Sequence, residues 1–414
     1  MAYIEFDPKN MKSKILTLGR RNLMNYNLKD KRISIQVIFY FTIFLYICML
    51  YTFYEYRLPI LSFTILILLY YFISRKKSLS LFFVWNFLFI LLCVFSLFWS
   101  YNYSQTIIEV RNLIWIGIIN NLIIAFIDDK EKINIIFKMI IFAGLVYILR
   151  LVYEFPIGTW LSGRLGDTAD FNSNRIGIYL SVSGLAVFHF ALMKNNKRYY
   201  LLLPIFIGVV FLTGSRKAFL MLIMGIALLY YFNKGRDLQK KLVAIIIAIF
   251  ITIIFYFLVM NISFLYNILG HRIESIFSVV FLESGNLDYS SRLRSQMVDI
   301  GMDLFTANPI LGTGIGSYSV LSGFSTYSHN NYIELLVGLG VTGIIVYYGF
   351  VLYIILKLIK EKSSPIRNLL LVLSILFLII DYGLVSYNGP LYQLIIALGY
   401  SGVRKLNGNN LNKL

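Results

Sequence analysis

Apolar runs of membrane-spanning length recur along nearly the whole of this 414-residue chain, with the polar residues gathered between them. A hydrocarbon core of roughly 30 Å takes about 20 helical residues to cross. By that measure about twelve segments qualify or come close: 33–54, 58–73, 79–99, 106–127, 133–152, 175–193, 199–213, 218–232, 242–260, 337–357, 368–385 and 390–402. Residues 58–73, 199–213, 218–232 and 390–402 are short, and a merged or re-entrant segment is one way to accommodate them. The pattern therefore predicts an all-α integral membrane protein. Its expected parts are a basic tail (1–32), a first membrane portion (33–260), a long outer loop (261–336), a last membrane portion (337–402) and a polar tail (403–414). The first 32 residues are polar and basic and lack the pattern of a cleavable signal peptide.

Within the long loop the periodicity changes character. Leu293, Met297, Ile300 and Leu304 recur at helical spacing, which predicts an amphipathic helix with one apolar stripe. Pro309 should stop it, and the run GTGIGSY should follow as a flexible turn. Gly312, Gly314 and Gly316 lack the flanking strand and helix of a dinucleotide fingerprint, so a tight turn packed on the membrane portion is expected instead. Upstream, HRIESIFSVVFLES (271–284) mixes charge with aliphatics and suits an interfacial segment.

Composition agrees with the membrane assignment: 58% of residues are hydrophobic and only 14% charged. Charge adds the orientation. Of the 38 Lys and Arg, 27 fall in the N-terminus and alternate connections and ten on the opposite side, so both termini are expected in the cytoplasm. The net charge of +18 is spread over short loops and reads as a topology signal, with no nucleic-acid partner implied. Most of the outer cations, against this rule, gather at residues 153–174, the 214–217 turn and the loop 261–336. Cations held there need another purpose. Binding a phosphate or pyrophosphate is the leading one, and headgroup contact the alternative. Cys48 and Cys93 lie inside expected spans and read as small core residues.

Three polar stretches stand out in this outer chemistry: GRLGDTADFNSNRIG (163–177), LTGSRKAFL (212–220), and the pair SRLRSQMVDIGMDLFTANPILGTGIGSY (291–318) and SHNNYIELLVGLGVTG (328–343). In this order and on this side, they resemble the O-antigen ligase and polymerase superfamily of bacterial envelope polysaccharide synthesis. The resemblance covers residues 160–360 at motif level. It implies a lipid-linked-donor glycosyltransferase architecture of the GT-C-like kind and an inverting, metal-independent reaction with no cofactor. The donor would be an undecaprenyl-pyrophosphate-linked oligosaccharide and the acceptor a glycan. The setting would be the bacterial inner membrane, with membrane lipids and a chain-length regulator as further partners.

Such chemistry needs a base for the acceptor hydroxyl and cations for the leaving group. Of three histidines, His329 alone sits among polar residues at an expected membrane boundary, and it is the candidate base; the alternative is a helix cap. Asn330 and Glu334, four apart, share a helix face and would orient the imidazole or a sugar, or Glu334 would only cap the turn. Arg216 matches the family turn and is the first candidate for pyrophosphate. In the long loop the family's spacing to the proline fits Arg294, whereas the Ser-Arg dipeptide fits Arg292. Val298 stands where the family often carries an aromatic. Arg164 is a further candidate and Asn174 a supporting residue. No outer cluster of paired carboxylates with metal-ligand spacing is expected.

Polymerisation of O-antigen or capsular repeat units is the leading functional expectation. Ligation of finished glycan to lipid A core or another acceptor is second. A polysaccharide or lipid-linked oligosaccharide transporter is the reading from another class, but transporters place their polar groups near the bilayer midplane, whereas these gather at its outer edge.

Overall fold

The computed structural model describes residues 37–52, 80–160, 163–168, 171–193, 197–233 and 289–407, with isolated positions between 253 and 270. The expected spans 58–73 and 242–260, the N-terminal tail, residues 408–414 and the 271–284 segment lie outside the described residues or almost wholly so, while 403–407 of the expected C-terminal tail continue the last helix. All the regular elements among the described residues are helical, joined by turns and one isolated bridge between Asp167 and Asn172. They are α1 (Val37–Thr52), α2 (Leu81–Phe95), α3 (Tyr103–Phe126), α4 (Lys130–Glu154), α5 (Ser173–Leu192) and α6 (Leu203–Leu212). They continue with α7 (Arg216–Asn233), α8 (Tyr289–Ala307), α9 (Asn331–Lys360), α10 (Pro365–Ile380) and α11 (Pro390–Asn407), besides short one-turn pieces. Seven helices among the described residues are long and apolar enough to cross a membrane. On α2 the exposed faces are Phe83, Val84, Phe87 and Leu88, a surface that suits lipid and not water.

The helices start where short polar side chains can satisfy the first free amides. Ser80, Asn102, Asp129, Asn172, Asn330 and Ser364 each accept from an N–H in the turn they open. The centre of the bundle is α5, packed against α4, α6, α7 and α10. Its small residues let neighbours approach. The space beside Gly177 is filled by Ala218, Thr213 and Ser215, and that beside Gly184 by Leu222. Ser181 donates across to the carbonyl of Ala218 at 2.8 Å, and Ser183 to that of Ile140 at 3.0 Å.

Three of the four stripe positions of α8 pack inward: Met297 joins Tyr318, Ile333 and Val337 in a separate small core, with Leu293 and Leu304 against it; Val298, not Ile300, is the further α8 residue there. The helix ends at Ala307, two residues before Pro309.

The glycine turn that follows has a structural partner the sequence did not reveal. Helix α9 is broken at Gly340, whose φ of 65° and ψ of −160° are not helical. A break exposes amides and carbonyls that the bilayer cannot satisfy. The 309–314 turn satisfies them. Thr313 and Gly314 donate their amides to the carbonyls of Val337 (2.8 Å) and Gly338 (2.9 Å), while Val341 donates to Pro309 (2.9 Å) and Thr342 to Ile310 (3.3 Å). A side chain at Gly340 would meet the Ile310 carbonyl, and one at Gly312 the Val337–Leu339 backbone. Both glycines are required at this contact.

Candidate active site

Four stretches far apart in sequence converge at one end of the bundle. The 163–167 loop lies on the 212–216 turn: Leu165 donates its amide to Leu212 (2.9 Å), and Arg164 Nε donates to the Thr213 carbonyl (3.2 Å). Arg164 also pairs with Asp167 at 3.3 Å. Ser215 Oγ donates to Asn174 Oδ1 at 2.8 Å, so Asn174 ties the start of α5 to the turn that opens α7. Lys217, next along, donates from Nζ to the carbonyl of Gly383 in the turn after α10. Arg164, Arg216 and Arg294 all act on Lys217 electrostatically.

His329 faces this group from the other side. It precedes the Asn330 cap of α9 and holds a left-handed backbone, φ 55°, which few non-glycine residues adopt. Partial burial pushes its imidazole down to about 4, with the positive charges of Arg294 and Lys217 adding to the shift. It is therefore neutral at pH 7 and able to accept a proton. The cap itself is Asn330, whose Oδ1 accepts from the amides of Tyr332 (2.9 Å) and Ile333 (3.2 Å). Asn330 is thus engaged in capping. Glu334 Oε2 accepts from the Ser328 amide at 2.9 Å, and the residue lines a cavity.

The structure brings together His329, Arg294, Arg216 and Arg164, and adds Lys217, which the sequence offered only as a neighbour of Arg216. Arg292 is exposed, whereas Arg294, two residues on, is half-buried and faces His329.

A second feature was missed entirely. Beside the cations is a cavity of about 560 Å³, lined by Gln105 and Glu109 of α3, Arg175 and Tyr179 of α5, Tyr327, Glu334 and the 384–390 loop. Tyr327 connects the two regions, its ring centroid 4.3 Å from that of His329. Glu109 and Glu334 therefore share one cavity, where the sequence had suggested no paired carboxylates on this side. Among the described residues no group of three or more His, Cys, Asp and Glu is gathered to hold a metal ion. The polar start of α3 (YNYSQTIIE) and the SYNGP turn at 386–390 were the available signals. Their meeting across 279 positions was not legible.

An anchor lies under this site. Asn331 Nδ2 donates to Tyr348 (2.8 Å) and Asp381 (3.3 Å), while its Oδ1 accepts the amides of Ser386 (2.8 Å) and Tyr387 (2.9 Å). One buried amide thereby fixes the first turn of α9, and with it His329, to the loop that walls the cavity.

The class these features define is a multi-pass helical bundle of membrane type, with a cluster of basic side chains and a polar cavity at one end. Residues 200–348 match the O-antigen ligase family model, and this bears out the O-antigen ligase/polymerase superfamily indicated by the motifs. The matched span contains Arg216, Lys217, Arg294 and His329; Arg164 and Glu109 lie before it. The match supports glycosyl transfer in polysaccharide assembly, with lipid-linked glycan and acceptor as the substrate classes. No curated protein matches the chain.

Proposed function

We propose that the protein is an inverting, metal-independent glycosyltransferase that polymerises O-antigen or capsular repeat units from an undecaprenyl-pyrophosphate-linked donor. It works at the outer face of the bacterial inner membrane, in a GT-C-like bundle of about twelve spans whose termini are cytoplasmic. The observation that carries this is the position of His329, a neutral imidazole between a group of basic side chains and a polar cavity.

The acceptor hydroxyl attacks the donor's anomeric carbon and gives its proton to His329. The bond from that carbon to the phosphate oxygen breaks, and the pyrophosphate leaves still attached to its lipid. A single displacement inverts the anomeric configuration. Arg294, Arg216, Lys217 and Arg164 take the charge that develops on the leaving oxygens. Arginine suits this because its planar fork makes two-point contacts with phosphate, and charge-assisted bonds are roughly twice as strong as neutral ones. Donor binding also tunes the base. Burial is the larger cause that holds the imidazole down; the added effect of Arg294 and Lys217 is partly neutralised by pyrophosphate, so its proton affinity rises when the acceptor must be deprotonated. Asn330, Glu334 and Asn174 hold the backbone and turns that carry these groups.

The location of the cations also counts against a transporter. They sit at the start of α7, in the first turns of α8 and in the 163–167 loop, at helix ends and not midway along spans. Ligation of finished glycan to lipid A core or another acceptor is the second reading, favoured by the description of the matched family. Purified protein supplied with a lipid-linked repeat unit separates the two. A ladder of products from the repeat unit alone marks a polymerase. Transfer only when a distinct acceptor is added marks a ligase. Activity should persist in EDTA; loss that magnesium or manganese restores would overturn the metal-free reaction.

A further inference from the structure

We infer that the cavity walled by Gln105, Glu109, Tyr327, Glu334 and Asn388 is the acceptor-sugar subsite, and that Glu109 makes it select uncharged or amino sugars and reject anionic ones. This rests on the transferase reading above and adds to it the chemical class of the acceptor.

The placement is the first support. The four cations that suit the pyrophosphate do not line the cavity, whereas Tyr327 lines it and lies against His329. The base that must take a proton from the acceptor is thus one ring contact away from the cavity, through Tyr327, and within electrostatic reach of Arg294 and Lys217. Its volume of about 560 Å³ falls within the range of roughly 300–1,000 Å³ common for small-molecule sites. The exposed Ser325 and Tyr327 at its rim open it to the surface.

The polar inventory is the second. Glu109 is buried, yet its carboxylate is held by uncharged donors: Gln105 Nε2 at 2.8 Å on one oxygen and Asn388 Nδ2 at 2.6 Å on the other. No ion pair among the described residues involves Glu109 or Glu334. Arg175, the cation in the lining, donates to the Leu50 carbonyl at 3.2 Å and sits over the Tyr179 ring at 5.1 Å. A carboxylate offers about four acceptor sites; the two amides and the Tyr387 hydroxyl fill three of them. The remainder, with the amide oxygens of Gln105 and Asn388, forms a surface that accepts bonds from sugar hydroxyls or an ammonium group. A uronate or phosphate brought there would meet the buried Glu109 carboxylate as a like charge in a poorly solvated space. Tyr327, Tyr387 and Tyr179 supply ring faces for the apolar side of a pyranose.

The test uses the full-length protein in detergent with its lipid-linked repeat unit as donor. The oligosaccharide released from that lipid serves as acceptor, alongside the same oligosaccharide with its primary hydroxyls oxidised to carboxylates. Wild-type protein should use the oxidised acceptor at least about tenfold less well in kcat/KM. Glu109→Gln should shrink that discrimination and raise the KM for the neutral acceptor, leaving the KM for donor unchanged. Glu109→Asp, which keeps the charge, should keep the discrimination that Glu109→Gln loses. Equal use of both acceptors by the wild type would overturn the inference. So would a donor KM that moves in place of the acceptor KM, or discrimination unaltered in Glu109→Gln. Absence of any transfer by the wild type would instead remove the transferase reading, and this subsite with it.

Discussion

At the scale of single residues, the group that matters most is His329, and its surroundings set a pH dependence whose sign can be worked out. A base must be neutral to act, so activity is present above its pKa and is lost as pH falls through it. In the free protein that point lies at about 4, so kcat/KM should stay level from neutrality down to about pH 5. Arg294 contributes to holding it there. Arg294→Gln should therefore shift the acid limb of kcat/KM to higher pH, besides weakening donor use. A pH–rate series on both proteins checks this, and coincident acid limbs would show that Arg294 does not act on the base. Arg292→Gln should leave the limb in place, since Arg292 faces away, exposed. The motifs made His329, Arg216 and Arg294 legible from sequence because each sits in a short polar run between apolar ones. Lys217 and Glu109 were harder. A cation beside Arg216 looked like a headgroup anchor, and Glu109, one turn and a half into an apolar helix, meets Asn388 and the cavity only through the fold.

At the scale of elements, the site depends on the break in α9 and the turn that fills it. The stripe of α8 and the stop at Pro309 could be read directly, because periodicity and proline chemistry are local. The break at Gly340 could not, since its cause is a partner thirty residues earlier in the chain. Gly340→Ala combines a backbone shape open almost only to glycine with a side chain pressed into the Ile310 carbonyl. It should cost at least about 1–3 kcal/mol from backbone strain alone, with lower thermal stability in detergent and less folded protein in the membrane. Gly158→Ala, where an added methyl meets open space, is the control and should be close to neutral. Equal melting temperatures for the two variants would mean that the turn does not hold the break in place. Asn331→Leu, nearly the same size, leaves the Ser386 and Tyr387 amides without their acceptor and removes one donor to Asp381, which keeps Tyr348. It should lower stability by about 1–3 kcal/mol, measured in the same way.

At the scale of the whole molecule, the charge distribution and the site must agree on which side is which. A cysteine at Ser322, in the loop beside the cavity, should react with an impermeant maleimide added outside intact cells. One at Lys360, the exposed end of α9, should react only after permeabilisation. The reverse pattern would put the cations on the cytoplasmic side and remove the site from its substrate. Helix positions were legible because hydrophobic length is a local property. The cavity was not, because α3, α5, α9 and the 384–390 loop each give it only one or two polar residues. The central claim is that His329 takes the acceptor proton. It is tested most directly by glycosyl transfer from a purified lipid-linked donor, comparing wild type with His329→Gly and His329→Gln. Glycine suits the left-handed backbone at this position, so the fold should survive while the base is removed. Both variants should bind donor and lose on the order of 10²–10⁴ in rate. Turnover within a few-fold of wild type in His329→Gly would contradict the account.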